Sequence, residues 1–175
     1  LEDNGVQVGP NRNGTGGNIS FPLASATLGV GVHVLTVVAT NASTACATTL
    51  TNTATVTVNP LPNANLTVTG SNVCLGQGGT ISIANSQTGV NYVVTGVTAT
   101  VAGTGGTITL NVPAGNLVTG ANTFTIRATF AATGCNTNLT QTATVNVSPL
   151  PAIGAPITQT QVCVGNNATL SIPNT

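Results

Sequence analysis

The chain repeats itself along its length, and this repeat constrains the fold more than any other feature. Cys46 and Cys135 each open a stretch that alternates Thr with Ala or Val and closes on Pro-Leu-Pro, so the offset between copies is 89 residues. Gly-Thr-Gly-Gly at residues 14–17 and 103–106, and Cys-x-Gly at residues 74–76 and 163–165, match at the same offset without a gap. A period this long exceeds the roughly 20 to 45 residues of a solenoid unit and fits an autonomous sandwich domain of roughly 100 residues.

Within one period, short runs rich in Thr, Val and Ile are separated by Gly and Asn turns, which predicts strands and no helix of note. The predicted strands are residues 65–69, 80–84, 90–95, 98–102, 107–112, 122–130 and 140–147. About seven strands per 89-residue repeat predict an all-β chain of tandem immunoglobulin-like β-sandwich domains.

Alternation within the predicted strands indicates which side chains face the core. Ala143, Val145 and Val147 point one way in the last strand, and Thr142, Thr144 and Asn146 point the other way. The first copy repeats this pattern with Ala54, Val56 and Val58. In the strand at residues 122–130, the residues predicted to face the core are Phe124, Ile126 and Ala128.

The domain boundaries are predicted at the two Pro-Leu-Pro segments, because proline lacks an amide donor and favours a stiff, extended connector. The chain then divides into a partial repeat at residues 1–60 (its C-terminal part), a complete repeat at 61–149 and a partial repeat at 150–175 (its N-terminal part). Residue 1 aligns with residue 90, and residue 175 with residue 86. Two interpretations follow: the favoured one is a window cut from a longer array, and the other is strand exchange between neighbouring chains.

Charge is almost absent. Only Arg12, Arg127, Glu2 and Asp3 are charged, and there is no Lys. Two scattered arginines cannot neutralise a nucleic-acid backbone or a patch of anionic lipid, so neither partner is expected. No apolar run reaches the roughly 18 residues of a membrane span. Without charge repulsion, self-association with neighbouring repeats of the same protein is the expected partnership.

Threonine residues occupy the outward face of the predicted last strand in both copies, at residues 51, 53, 55 and 57 and at residues 140, 142 and 144. The favoured interpretation is a solvated β-surface of high strand propensity. Lateral packing in a fibre is a second interpretation, since an uncharged strand surface has little to oppose association. An ice-matching face is a third.

The segments Val73-Cys-Leu-Gly76, Thr80-Ile-Ser-Ile83, Gly134-Cys135 and Thr142-Ala-Thr-Val-Asn-Val-Ser-Pro149 carry a family resemblance over essentially the whole chain. They resemble the tandem immunoglobulin-like or PKD-like repeats of large secreted surface proteins of Bacteroidota, including gliding-motility-type adhesins. The resemblance implies export by the type IX pathway, a secreted, extracellular or cell-surface location, and a role in adhesion, motility or matrix. The chain departs from many such repeats in its scarcity of Asp and Lys, which leaves no acidic cluster for a calcium-stiffened linker.

Four cysteines at regular spacing predict disulfides and an oxidising compartment. The candidate bridge joins Cys74 to Cys135 within the complete repeat, and Cys46 and Cys163 would then find partners outside the segment. In the usual immunoglobulin order these two turns lie at opposite ends of the sandwich, too far apart to bridge. Bridges between successive domains or chains, and free thiols, therefore remain as alternatives.

No catalytic, cofactor-binding or metal site is predicted. His33 is the only histidine, and Glu2 and Asp3 belong to a different strand region and should point to opposite faces. The prediction is accordingly a non-enzymatic structural repeat module of a long extracellular surface protein or filament. It would act as a rigid spacer, self-assembling by lateral or strand-exchange contacts. The alternative is an adhesive module that binds a glycan or a host or cell surface, for which Tyr92 is the one aromatic candidate.

Overall fold

The computed structural model describes residues 1–152 and 161–168, and this part of the chain is all-β apart from two single turns of helix. The chain divides into two compact units. The first comprises Leu1–Pro62 together with Thr129–Thr137, and the second comprises Asn63–Ala128 together with the chain from Asn138 onwards. The predicted partial repeat at residues 150–175 lies for the most part outside the described residues.

Six short strands and one helical turn make up the first 62 residues. They are β1 (Glu2–Asp3), β2 (Val6–Gln7), α1 (Ser25–Leu28), β3 (Gly31–Thr36), β4 (Val38–Thr40), β5 (Ala47–Thr49) and β6 (Ala54–Val58). The strands form one sheet of order β2-β1-β3-β6 and a separate β4-β5 hairpin. β3 and β6 pair antiparallel with Leu35 opposite Ala54 and His33 opposite Val56.

Ten strands and a 3-10 turn (Ala114–Asn116) follow. The strands are β7 (Val68–Gly70), β8 (Asn72–Cys74), β9 (Gly79–Ile83), β10 (Val90–Val93), β11 (Val101–Ala102), β12 (Ile108–Val112), β13 (Gly120–Phe124), β14 (Arg127–Phe130), β15 (Asn136–Asn138) and β16 (Ala143–Ser148). They form sheets of order β12-β9-β7, β13-β16-β8 and β11-β10-β14-β15. β8 runs parallel to β16, with Cys74 opposite Ser148.

The second unit has a closed apolar core. Its inward side chains alternate along β9, β12 and β16, as the period-two pattern predicts. Ala143, Val145 and Val147 are 1%, 0% and 4% exposed, which confirms their predicted inward orientation. Burying each large aliphatic side chain contributes about 1.5–3 kcal/mol, so this core is the main stabilising feature of the unit.

The single strand predicted at residues 122–130 is wrong, because the structure forms two strands there. β13 pairs with β16, whereas β14 belongs to the sheet of β10, so the chain leaves one sheet for the other between Phe124 and Arg127. Ile126 and Ala128 are fully buried as predicted, but Phe124 is only half-buried. A local pattern cannot indicate this break, because the ladder partner changes while the side-chain alternation continues.

In the complete repeat at residues 61–149, the sequence analysis missed two strands, β8 and β15. Both contain Asn, a residue that is depleted in strands, and both are only three residues long. β8 exists because β16 offers it a parallel ladder, and not because of its own propensity. Such an element becomes visible only when its partner strand is in place.

Candidate functional site

The first unit contains an open apolar cleft of about 840 Å³. Its walls include Phe21 and Leu23 from the segment before α1, and Ala54, Val56 and Val58 from β6. Ala54 and Val56 are exposed, and the side chains at residues 21, 23 and 58 are only half-buried. The inward face predicted for β6 therefore lines a cleft and not a closed core.

The apolar residues that line the cleft match, at the repeat offset of 89 residues, residues in the buried core of the second unit. Phe21 matches Leu110, and Val56 matches Val145, both of which are 0% exposed. The other counterparts in the second unit include Val90, Val112, Leu117, Ile126, Ala143 and Val147, all of them 9% exposed or less. Most of these positions thus belong to a core in one unit and line an open cleft in the other, and Leu35, which is 4% exposed, is an exception.

The difference arises from the strands that close the core. In the second unit, Ile81 and Ile83 of β9 are both 0% exposed, and β9 pairs along its length with β12. β8 covers the outer edge of β16. In the described first unit, residues 19–23, which match β12, form no strand, and β6, which matches β16, is an edge strand. The cleft therefore lies where counterparts of β8 and β9 would pack.

Asp3 and His33 form a hydrogen-bonded pair that the sequence analysis missed. The Asp3 Oδ2 and His33 Nδ1 atoms are 2.6 Å apart, and the two side chains are 14% and 12% exposed. β1 pairs antiparallel with β3 and places Asp3 opposite Leu35, so the carboxylate lies diagonally across from His33 on the same face. The acids and His33 lie on different strands, as predicted, but these strands are neighbours, which the sequence analysis did not anticipate.

The pair has a structural counterpart in the second unit. His33 Nε2 lies 3.3 Å from the Gly29 carbonyl oxygen. At the matching position, the Asn122 side-chain amide donates to the Val118 carbonyl oxygen at 2.7 Å and its carbonyl accepts from the Val118 amide at 2.9 Å. Both side chains thus tie the start of a strand to the turn before it. Among the described residues no group of three or more His, Cys, Asp or Glu side chains is arranged to hold a metal ion.

All four cysteines are free thiols in the structure. Cys46, Cys74 and Cys163 are exposed and Cys135 is half-buried. Cys74 ends β8 opposite Ser148, and Cys135 lies in the turn between β14 and β15, where its carbonyl accepts from the Phe130 amide. The predicted pairing of Cys74 with Cys135 stays a prediction.

Tyr92, the aromatic candidate for a glycan-binding surface, is a core residue of the second unit. Its side chain is 0% exposed, and its hydroxyl oxygen accepts a hydrogen bond from the Gln87 amide at 2.9 Å. A sugar ring cannot stack on a side chain that is fully enclosed. Thr55 and Thr57 of β6 are exposed, as is Thr53 just before the strand.

No protein-family model matches the chain, and no curated protein matches it either. Within the described residues, none of the helices has the length and apolar character needed to cross a bilayer.

Proposed function

We propose that the chain is a structural repeat module of a long secreted surface protein or extracellular filament. Each 89-residue repeat would be an immunoglobulin-like β-sandwich, and the array would act as a rigid spacer. The observation that carries the proposal is the correspondence between copies. From the Asn41–Cys46 turn and its match at Phe130–Cys135 onwards, residues 89 apart take the same strand positions, because β5 and β6 match β15 and β16.

The correspondence extends to backbone detail. In the first copy the Asn41 amide donates to the Cys46 carbonyl at 2.9 Å, and in the second the Phe130 amide donates to the Cys135 carbonyl at 2.8 Å. Such loops of conserved length suit a module whose task is to hold spacing, whereas binding loops usually differ between copies. Tandem sandwich domains joined by proline-rich connectors form stiff rods.

A catalytic function has little support. The Asp3–His33 pair has a neutral amide, Asn122, at the histidine position of the other copy, which points to a tether rather than a reacting group. The adhesive alternative loses its aromatic candidate, because Tyr92 is enclosed. We therefore keep the location that the resemblance to the surface-repeat family implies, which is secreted, extracellular or at the cell surface. Neighbouring repeats are the proposed partners.

Electron microscopy of the native material, with immunogold labelling by an antibody against this chain, tests the proposal. We expect label along extended rods or fibres outside the cell, with an axial repeat that is regular from one module to the next. Compact particles without an axial repeat, or label confined to the cell interior, would contradict it. Imaging before and after reduction also shows whether disulfides hold successive subunits together.

A further inference from the structure

The cleft of the first unit lies where counterparts of β8 and β9 would pack, and the chain carries a second segment that matches β8 and β9 in sequence. We propose that residues 161–172 of a second copy of this chain fill the cleft and complete its core, so that copies join head to tail. This inference rests on the proposed structural role and names its partner. The mode of recognition is β-strand addition, in which backbone hydrogen bonds provide affinity and alternate side chains fill pockets.

Residues 161–172 are the sequence counterpart of the segment that closes the second unit. In that unit, residues 72–83 supply β8 and β9, with Ile81 and Ile83 fully buried. At an offset of 89 residues, Leu170 and Ile172 stand in their places, and Ser171 stands in the place of the outward-facing Ser82. The segment thus offers apolar side chains at the two positions that a cleft lined by apolar side chains requires.

The structure of the second unit also supplies the register. β9 pairs antiparallel with β12, Ile81 opposite Leu110, which places Leu170 opposite Phe21 in the proposed assembly. β8 pairs in parallel with β16, which places residues 161–163 beside residues 57–59, with Cys163 opposite Asn59. This second pairing covers the free edge of β6. An uncovered edge presents backbone amides and carbonyls that a second chain can pair with.

Differences between the C-terminal segment and its counterpart in the second unit limit how much of the chain can enter the cleft. A Cβ added at Gly70 would collide with the Thr144 carbonyl, and Gln159 occupies the matching position. Backbone cannot yield there, so the proposed insertion begins after residue 159. A Cβ at Gly79 would lie 2.6 Å from the Val145 Cγ1 atom, and Ala168 occupies that position. The facing residue in the first unit is Val56, whose partly exposed side chain has room to move aside.

Two other occupants compete with a second copy: residues that precede Leu1 in a longer array, and a free apolar small molecule, since clefts of about 300–1,000 Å³ are typical ligand sites. The edge of β6 favours the strand, because a small molecule would fill the cleft and leave that backbone ladder unpaired. The nearly uncharged walls place no electrostatic barrier against a second copy that is equally uncharged.

The first experiment measures assembly of the 175-residue chain by sedimentation velocity over a range of concentrations. We expect oligomers that grow with concentration. Leu170→Asp should weaken association by about tenfold or more, because it places an unpaired carboxylate in an apolar site. Ser171→Asp is the matched control: it adds the same charge one residue away on the outward face and should leave association nearly unchanged. A chain that stays monomeric, or equal effects of the two substitutions, overturns the proposal.

The second experiment tests the register through a disulfide. Asn59→Cys is combined with Cys46→Ser, Cys74→Ser and Cys135→Ser, so that each copy carries only the introduced thiol and Cys163, and peptide mapping identifies which two positions each bridge joins. Directly opposed residues on neighbouring strands are about 4.7–4.9 Å apart, within the Cα range of a disulfide. We expect a ladder of covalent oligomers after mild oxidation. Thr57→Cys in the same background, two residues out of register, should give far fewer.

A positive control verifies the chemistry within one chain. Ser148→Cys, with Cys74 retained and the other cysteines changed to Ser, joins two residues that the structure already places opposite each other. It should give an intramolecular bridge and no ladder. If this control bridges and Asn59→Cys gives only monomers, including an internally bridged monomer, then the second-copy proposal is wrong. The spacer function could still hold in that case, because one long covalent array would also form regular rods in native material. Failure of the second-copy proposal is therefore distinguishable from failure of the spacer function.

Discussion

Val145 and Val56 occupy the same position of the two repeats but differ in burial, and a matched pair of truncations exploits this difference. Val145 is 0% exposed in the closed core, whereas Val56 is 36% exposed in the cleft. Val145→Ala removes two buried methyl groups at about 0.8 kcal/mol each. With the cavity left behind, we expect the free energy of unfolding of the second unit to fall by about 2–3 kcal/mol.

The assay uses the fluorescence of Tyr92, which is the only Tyr in a chain without Trp and is buried in the second unit. Urea unfolding followed at this residue therefore reports on that unit. With a urea m-value of about 1–2 kcal/mol/M, Val145→Ala should lower the midpoint by about 1–3 M. Because Tyr92 does not report on the first unit, the effect of Val56→Ala is measured by amide hydrogen exchange in β3 and β6. We expect a loss of stability well below that of Val145→Ala, because Val56 is 36% exposed. Equal losses would refute the assignment of closed core and open cleft.

Substitutions at three further sites, two of them with a matched control, test local features. Ala45 has a positive φ of 55°, and its counterpart Gly134 has a φ of 72°. Because glycine adopts a positive φ without steric cost, Ala45→Gly should stabilise the hairpin by about 0.5–1 kcal/mol, measured by amide hydrogen exchange. A Cβ at Gly103 would collide with a backbone carbonyl, whereas Gly14 has open space, so Gly103→Ala should lower the Tyr92 midpoint and Gly14→Ala should not. His33→Asn should change the calorimetric unfolding temperature less than His33→Ala, which leaves a partly buried carboxylate without its partner.

Much of the all-β character followed from local pattern. The alternation in β16 correctly predicted three inward residues, because a strand has a side-chain period of two wherever it is placed. The predictions for residues 80–84 and 107–112 fall on β9 and β12 for the same reason. The break between β13 and β14 and the existence of β8 could not be predicted this way, because both depend on a partner strand distant in sequence.

The candidate site was predicted only in part. The apolar identity of Val56 and Phe21 is visible in the sequence, but an apolar residue carries no signal that says whether its core is closed. The Asp3–His33 pair was missed because the two residues are 30 positions apart, and only the pairing of β1 with β3 brings them together. Comparison of His33 with Asn122 could have indicated a tethering role, since both can bond a carbonyl.

The sequence by itself determined the 89-residue period, the strand-rich composition and the inward side of β6 and β16, because these are local or periodic properties of the chain. Tertiary structure decided which of two nearly identical strands is buried. β16 has β8 and β9 beside it in the closed unit, and β6 has no counterpart of them in the described first unit, so Val145 is enclosed and Val56 is not. Burial is a property of the partners that surround a residue, and a strand cannot encode its partners in its own alternation.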